Sequence, residues 1–153
     1  MKLITVVALF GALMMQGSAG GGVHVWKSTE IRSKGDALAK KLDANKVATE
    51  PLGSDGKSNF MIAHREASGQ AEVHDTETDI LVFVEGQVTI VHGGTVVDGK
   101  VTAPGQTRGS GITGGTEVSL GPGDVLHVPP KVPHQMKLAP GAKVTYFVAK
   151  VVQ

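Results

Sequence analysis

Glycine limits how this chain can fold more than any other residue does. It occupies 21 of the 153 positions, about twice its usual share of ~7%, and together with proline it separates runs too short for most helices. Within these runs apolar and polar residues alternate, as at Gln87 to His92 and at Val144, Tyr146 and Val148. Alternation with a period of two is typical of β-strands. The sequence therefore predicts an all-β sandwich or small barrel.

Composition removes several classes of function. Lys and Arg total 15 against 14 for Asp and Glu, and aromatic residues make up only 4% of the chain. Neither a strongly basic nucleic-acid surface nor a base-stacking platform is expected. The chain has no cysteine, which excludes disulfide bonds, thiol catalysis and zinc sites built on cysteine. We expect a small-molecule ligand or substrate as the partner, and no nucleic acid.

The first 19 residues predict a signal peptide. Lys2 gives a positive start, Leu3 to Met15 is almost entirely apolar, and Gly17 and Ala19 are the small residues expected before a cleavage site. The alternative is a membrane anchor, but an apolar run of about 13 residues is shorter than the ~20 that span a bilayer. Cleavage after Ala19 would give a secreted or periplasmic protein with no membrane anchor.

Residues 20–58 are expected to form a helical lead and a loop, and residues 59–153 the β-barrel. Val23 to Lys27 is a candidate short strand. Ala44 to Ser58 is polar and contains one proline and two glycines, a composition that predicts a loop.

A helix is predicted between these two segments. Ser28 or Thr29 can cap it, and it should run to about Leu42. Its apolar face would consist of Ile31, Leu38 and Leu42. Gly35 lies inside it and should cost about 1 kcal/mol relative to alanine, so packing rather than intrinsic propensity must stabilise this helix.

Histidines and carboxylates carry the strongest chemical signal. The six histidines are at positions 24, 64, 74, 92, 127 and 134. Glu72 and His74 are two residues apart, so in a strand their side chains point to the same face, and Asp79 begins the next β run. Imidazole nitrogens and carboxylate oxygens converging inside a barrel suit Mn, Fe, Co, Ni or Zn better than Ca or Mg.

Two segments resemble the sequence motifs of the cupin superfamily. AEVHDTETDILVFVEG places Glu72, His74, Asp79 and Gly86 in the frame of the first motif, and GPGDVLHVPPKVPHQ places His134 in the frame of the second. The resemblance covers about Asn59 to Val152. It implies a cupin-type β-barrel, which is a double-stranded β-helix or jelly roll, here with a short N-terminal helix.

The resemblance also implies a set of metal ligands, which carries over as Glu72, His74, Asp79 and His134. Three departures from the family pattern stand out. Glu72 replaces the first histidine and Asp79 replaces a longer glutamate, while Lys131 and Leu138 replace a glycine and an asparagine. The implied cofactor is one divalent transition metal. The alternative is a barrel that has lost its metal and keeps these groups as a polar network.

Other polar residues are weaker candidates. His64 shares a strand face with Phe60 and Ile62, so it is expected to point into the barrel as a substitute ligand, a catalytic acid or base, or a hydrogen-bonded core residue. His127 would line the pocket or face solvent. These two histidines are the predicted proton-transfer residues. Glu77 is an alternative ligand, whereas His24 and His92 are expected to be structural or on the surface.

The glycine-rich stretch from Gly93 to Thr116 is predicted to be a hairpin or a long loop. A second interpretation is a flap over the barrel mouth, with Arg108 contacting an anion. The spacing Gly109-x-Gly111-x-x-Gly114 matches a dinucleotide-binding fingerprint, but a short strand and a turn follow it where that fingerprint needs a helix. We therefore reject that interpretation.

Taken together, the sequence predicts an exported metal-binding cupin. Family resemblance allows a metal-dependent oxygenase, isomerase or lyase acting on a small organic molecule, and it implies a homodimer, but a fold alone selects no reaction. The first alternative is a non-catalytic barrel that binds a small acidic metabolite or a sugar. The second is a structural barrel whose N-terminal helix packs against a partner chain.

Overall fold

Thirteen strands and one helix make up the computed structural model, which describes residues 22–153. The predicted signal peptide and its cleavage site lie outside these residues. The elements are α1 (Ser28–Leu38), β1 (Val47–Asp55), β2 (Ser58–Arg65), β3 (Ala71–His74), β4 (Glu77–Gly86), β5 (Val88–His92), β6 (Thr95–Val97), β7 (Lys100–Ala103), β8 (Gln106–Gly109), β9 (Gly111–Thr113), β10 (Thr116–Leu120), β11 (Val125–Val128), β12 (His134–Lys137) and β13 (Val144–Val152).

Two antiparallel sheets face each other across the main core. The five-stranded sheet has the order β1-β2-β13-β4-β11, and the six-stranded sheet has the order β10-β5-β12-β3-β8-β7. Phe83, Val144 and Tyr146 of the first sheet pack against Val88 and Ile90 of the second. Alternating residues point inward because side chains alternate across a strand. The expected all-β jelly-roll fold is confirmed, with the sheets facing each other rather than joined into a closed hydrogen-bonded barrel within residues 22–153.

Helix α1 covers the outer face of the five-stranded sheet. Ile31 and Leu38 pack with Ile62 and Val84 in a second apolar cluster, so this sheet is buried on both faces. The helix ends at Leu38 rather than near Leu42. Capping by Ser28 or Thr29 is a wrong prediction, because Lys27 holds the cap position and no side chain within the described residues caps the first turn.

Gly35 allows the close approach of the helix to the sheet. A Cβ atom built at Gly35 would lie 2.5 Å from Cγ2 and 2.7 Å from Oγ1 of Thr145 on β13. The contact is therefore possible only without a side chain at position 35. This close approach explains why a residue with poor helix propensity lies in the middle of α1.

The loop predicted for Ala44 to Ser58 is wrong, since most of it forms β1. This edge strand pairs antiparallel with β2, and the register shifts between Pro51 and Gly53. Proline is tolerated on an edge strand, and a register shift accommodates an extra residue. The candidate strand at Val23 to Lys27 is also wrong, because these residues have no regular secondary structure.

The glycine-rich stretch 93–116 forms short strands rather than one long loop. β6 pairs with β9 in a two-stranded sheet, and β7 and β8 extend the six-stranded sheet beside β3. The fingerprint-like glycines fall in β8, β9 and the turn that follows. Among residues 22–153, no helix has the length and apolar character needed to cross a bilayer.

Candidate metal centre

Four side chains converge between the two sheets. Glu72 and His74 lie on β3, His134 on β12 and Asp79 on β4. Glu72 and His134 are directly paired across β3 and β12, while Asp79 reaches over from the opposite sheet. One ligand atom from each of the four lies within 4.8 Å of the others. The structure therefore brings together all four residues of the predicted ligand set.

The closest approaches involve one nitrogen of each imidazole and one oxygen of each carboxylate. Nε2 of His74 lies 3.3 Å from Oδ2 of Asp79 and 3.4 Å from Oε2 of Glu72. Nε2 of His134 lies 3.5 Å from the same Asp79 oxygen and 3.9 Å from the same Glu72 oxygen. These two nitrogens and two oxygens define a single point of convergence.

A hydrogen bond at Nδ1 orients each of the two imidazoles. Nδ1 of His74 donates to the side-chain oxygen of Gln106 at 2.5 Å, and Nδ1 of His134 donates to the backbone carbonyl of Val132 at 3.1 Å. With Nδ1 as the donor to these partners, Nε2 of each ring faces the convergence point, where it approaches the carboxylate oxygen of Asp79. This is the arrangement by which metal-binding histidines are usually held.

The carboxylates are held in the same manner, each by a cation. Arg108 binds Oε1 of Glu72 and leaves Oε2 for the cluster. The ammonium of Lys150 lies 2.6 Å from Oδ1 of Asp79 and leaves Oδ2 for the cluster. Every member of the set thus has one atom held by a neighbour and one atom that faces the cluster, which fits a metal site. A metal ion would compete there with the Lys150 ammonium, which also contacts Nε2 of His74.

Asp79 is almost fully buried, with a side chain that is 6% exposed. Burial opposes its ionisation, but the imidazoles of His134 and His74 and the ammonium of Lys150 outweigh that effect. Together they hold the pKa of Asp79 well below its ordinary value. The carboxylate is therefore ionised and able to ligate at any physiological pH.

Lys150 brings a positive charge directly to the cluster. Its Nζ also lies 3.2 Å from Nε2 of His74 and 3.3 Å from Oε2 of Glu77. Glu77, the alternative ligand, approaches His74 only at Nδ1, at 3.8 Å, and is not one of the four converging residues. Lys150 and Glu77 therefore form an ion pair beside the centre.

A cavity of about 210 Å³ leads to the cluster. Its polar lining includes Glu72, Asp79 and His134 together with Arg65, Arg108 and Lys150, and its apolar lining includes Met61, Leu81, Met136, Tyr146 and Val148. Burial and the nearby charge of Arg65 both lower the pKa of Arg108. The cavity gives a small molecule access to the convergence point.

The turn before β12 belongs to the segment that resembles the second cupin motif, and it contains one departure from that pattern. Lys131 adopts a φ of 66°, where the cupin pattern has glycine. Its backbone N–H donates to the carbonyl oxygen of His74 at 2.7 Å. The turn that delivers His134 is thereby tied to the strand that carries His74, in a backbone conformation that glycine adopts with less strain.

The predicted orientation of His64 is wrong. His64 is 2% exposed and lies on the outer face of its sheet, beneath α1. Its Nδ1 is 2.9 Å from the hydroxyl of Thr145, and its Nε2 is 3.3 Å from Glu66. Of the three predicted roles, which were substitute ligand, catalytic acid or base, and hydrogen-bonded core residue, the structure supports the last. His64 lies outside the candidate site.

The remaining histidines also lie away from the cluster. His127 is exposed on β11, so it faces solvent and does not line the cavity. His24 stacks on Trp26, with ring centres 5.5 Å apart. His92 is the strand partner of His134 across β5 and β12, but it contributes no atom to the convergence point. Neither predicted proton-transfer histidine therefore has a place in this site.

Gln106, Lys150 and Arg65 are site residues that sequence analysis missed. Gln106 lies opposite His74 and Arg108 opposite Glu72 in the β3–β8 register. Lys150 lies opposite Asp79 in the β13–β4 register. The alternation along β13 was the available signal, since Lys150 continues the inward series of Val144, Tyr146 and Val148.

No protein-family model matches this sequence, and no curated protein matches it. Solved structures do match. The cupin domain of Schizosaccharomyces pombe Cnp3 has a TM-score of 0.53 at 8% identity, covering 71% of this chain and 66% of that one. A cupin 2 conserved barrel domain protein from Rhodopseudomonas palustris has a TM-score of 0.50 at 14% identity, covering 70% and 61%.

An oxalate oxidase is a third structural match, with a TM-score of 0.51 at 11% identity. The alignment covers 72% of this chain and 53% of the oxidase, so the chain spans about half the length of that enzyme. Together with the two-sheet architecture, these matches show that the chain has the fold of the cupin superfamily. It is a cupin-type jelly roll whose four converging side chains can hold a metal ion.

Proposed function

We propose that this protein is a metal-dependent cupin that binds one divalent transition metal through Glu72, His74, Asp79 and His134. One observation carries the proposal: four potential ligand atoms lie within 4.8 Å of one another. Two imidazoles and two carboxylates form a mixed donor set that suits Mn, Fe, Co, Ni or Zn.

A bound divalent ion would supply a Lewis acid or an oxygen-activating centre at the inner end of the cavity. The chain's own residues would do the rest. The apolar walls would exclude water, Gln106 and Val132 would keep the imidazoles oriented, and Arg108 would fix Glu72. The cavity bordered by Glu72, Asp79 and His134 supports an enzymatic role, and the substrate would be a small organic molecule.

Elemental analysis of protein purified without a histidine tag tests the metal assignment. We expect about one equivalent of a first-row transition metal in the wild-type protein. His74→Ala and His134→Ala should each lose it, whereas His127→Ala should keep it because His127 is exposed on the outside. Full metal occupancy in both site variants would overturn the assignment.

The second candidate is a non-catalytic barrel that binds a small molecule. It is favoured by the position of His64 and His127, since neither predicted proton-transfer histidine reaches the cavity. Turnover measurements on a panel of small organic acids separate the two candidates. Turnover that is lost in His134→Ala supports the enzyme, and binding without turnover supports the binding barrel.

Export and dimer formation belong to the same proposal. Export is supported by the charge and apolar pattern of residues 1–19, and a homodimer is what the cupin resemblance implies. N-terminal sequencing of protein recovered from outside the cytoplasm should begin at Gly20, and sedimentation should give twice the chain mass.

A further inference from the structure

The guanidinium of Arg65 lacks the partners that a half-buried cation normally has. Its Nε is buried and has no hydrogen-bond partner, and its NH1 reaches the carbonyl oxygen of Ala67 only at 3.5 Å. Arg65 takes part in none of the ion pairs found within residues 22–153. Nε itself is shielded from the cavity, so a ligand there would meet the terminal nitrogens of this guanidinium, which make no ion pair.

A second guanidinium lines the same cavity. Arg108 and Arg65 both border the space that leads to Glu72 and His134. The Arg65 side chain packs against the backbone at Gly69, where a Cβ atom would lie 3.1 Å from NH1. Two nearby like charges repel each other, and two planar guanidiniums offer paired donors that match a carboxylate. An anion between them would relieve the repulsion and use these donors.

The lining of the whole cavity is positively charged, like the two guanidiniums. Its lining contains three cations, which are Arg65, Arg108 and Lys150, and two carboxylates, which are Glu72 and Asp79. With neutral histidines the lining carries one net positive charge, and a divalent ion would raise this to three. An anionic ligand would therefore be attracted, and a cationic ligand would be repelled.

The walls limit the size and character of the ligand. Met61, Leu81, Met136 and Val148 give the cavity an apolar side. Its volume of about 210 Å³ is below the ~300–1,000 Å³ of sites for drug-sized ligands. A short organic chain fits this space, and an apolar wall favours it over a bare inorganic anion.

We propose that Arg65 and Arg108 recognise the anionic end of a small organic carboxylate, whose other end faces the metal centre. This inference rests on the proposed function and names the substrate class of that site. Arg65 is a specificity residue here, and among the described residues it makes no ion pair with the four proposed ligands.

Calorimetry on the metal-loaded protein tests the inference. The probes are saturated monocarboxylates of two to six carbons, the matching primary alcohols and inorganic phosphate. We expect carboxylates to bind more tightly as the chain lengthens, and alcohols and phosphate to bind far more weakly. Arg65→Gln should reduce carboxylate affinity about tenfold to a hundredfold, as expected for a lost bond to a charged group. The carboxylate affinity of Arg65→Lys should lie between those of Arg65→Gln and the wild type. Arg32→Gln, on the exposed side of α1, should bind carboxylates as tightly as the wild type.

Alcohols that bind as tightly as carboxylates, or an Arg65→Gln variant with unchanged affinity, would overturn the inference. Preferential binding of phosphate would overturn the carboxylate assignment as well. Metal content measured on the same samples separates this result from the proposed function. Normal metal content without carboxylate binding defeats this inference alone. Arg65-dependent binding by protein that never acquires metal defeats the metal assignment and the placement of the ligand's other end at a metal, and it leaves only the recognition of the carboxylate by Arg65.

Discussion

Gln106 and His74 are strand partners in the β3–β8 pairing, and the Gln106 side chain accepts a hydrogen bond from Nδ1 of His74. The register therefore places the residue that orients the imidazole directly beside it. Two residues further along, the same register places Arg108 beside Glu72. One neighbouring strand thus holds two of the four converging side chains in position.

Replacing Gln106 by leucine should weaken metal binding about 10- to 100-fold, the usual effect of removing an outer partner of a ligand. Gln106→Glu should bind at least as tightly as wild type, because a carboxylate also accepts from Nδ1. Calorimetric titration with Co²⁺ or Zn²⁺ measures both variants. Equal affinity of Gln106→Leu and wild type would show that this hydrogen bond does not position His74.

Lys150→Met should strengthen metal binding about tenfold. Two unit charges 4 Å apart interact by about 4 kcal/mol in a partly screened site, and a flexible lysine that swings away removes part of this repulsion. Without metal the same variant should be less stable, because Asp79 loses its closest cation. Thermal unfolding with and without metal measures both effects. Lys143→Gln, at an exposed position, is the control, and weaker metal binding by Lys150→Met would contradict the account.

Gly35→Ala should destabilise the protein by about 1–2 kcal/mol. The added methyl collides with Thr145, and overpacking of this kind costs about 1–3 kcal/mol, which exceeds the gain of about 1 kcal/mol in helix propensity. Urea denaturation measures the change in the free energy of unfolding.

Two variants make the Gly35 test specific. Ser33→Ala on the exposed side of the same helix should not destabilise. Adding Thr145→Ser to Gly35→Ala should recover part of the loss, since serine lacks the Cγ2 atom but keeps a hydroxyl for His64. A stabilised Gly35→Ala variant would mean that the helix does not lie this close to β13.

Lys131→Gly should stabilise the protein by about 0.5–1 kcal/mol. The left-handed conformation costs a non-glycine residue about 1–2 kcal/mol, and the greater freedom of glycine in the unfolded chain offsets part of the gain. Lys100→Gly, in strand β7, should instead destabilise. Denaturation midpoints measure both, and a loss of stability in Lys131→Gly would show that the lysine side chain contributes more than its backbone strain removes.

The sequence predicted all four converging residues and about half of the strands, among them β2, β4, β5 and β13, but it placed His64 on the wrong face. Alternation with a period of two shows that Phe60, Ile62 and His64 share a face without showing which face is inside. Both faces of β2 are apolar because α1 covers the outer one. The local pattern of this strand was therefore the same for either orientation.

Two other features depended on pairing between distant segments. The proline and glycines of β1 indicate a loop locally, yet pairing with β2 makes the segment an edge strand. Gln106 and Lys150 reach the cluster only through the registers of β3–β8 and β13–β4. Such registers are set by the tertiary fold, so no short motif contains them.

Anomalous diffraction from crystals of the metal-loaded protein tests the central claim most directly. The account predicts one metal peak between the sheets, about 2.0–2.2 Å from Nε2 of His74 and Nε2 of His134, with an oxygen each from Glu72 and Asp79 as further ligands. Metal bound elsewhere, or a cluster that holds only the Lys150 ammonium when metal is in excess, would contradict it.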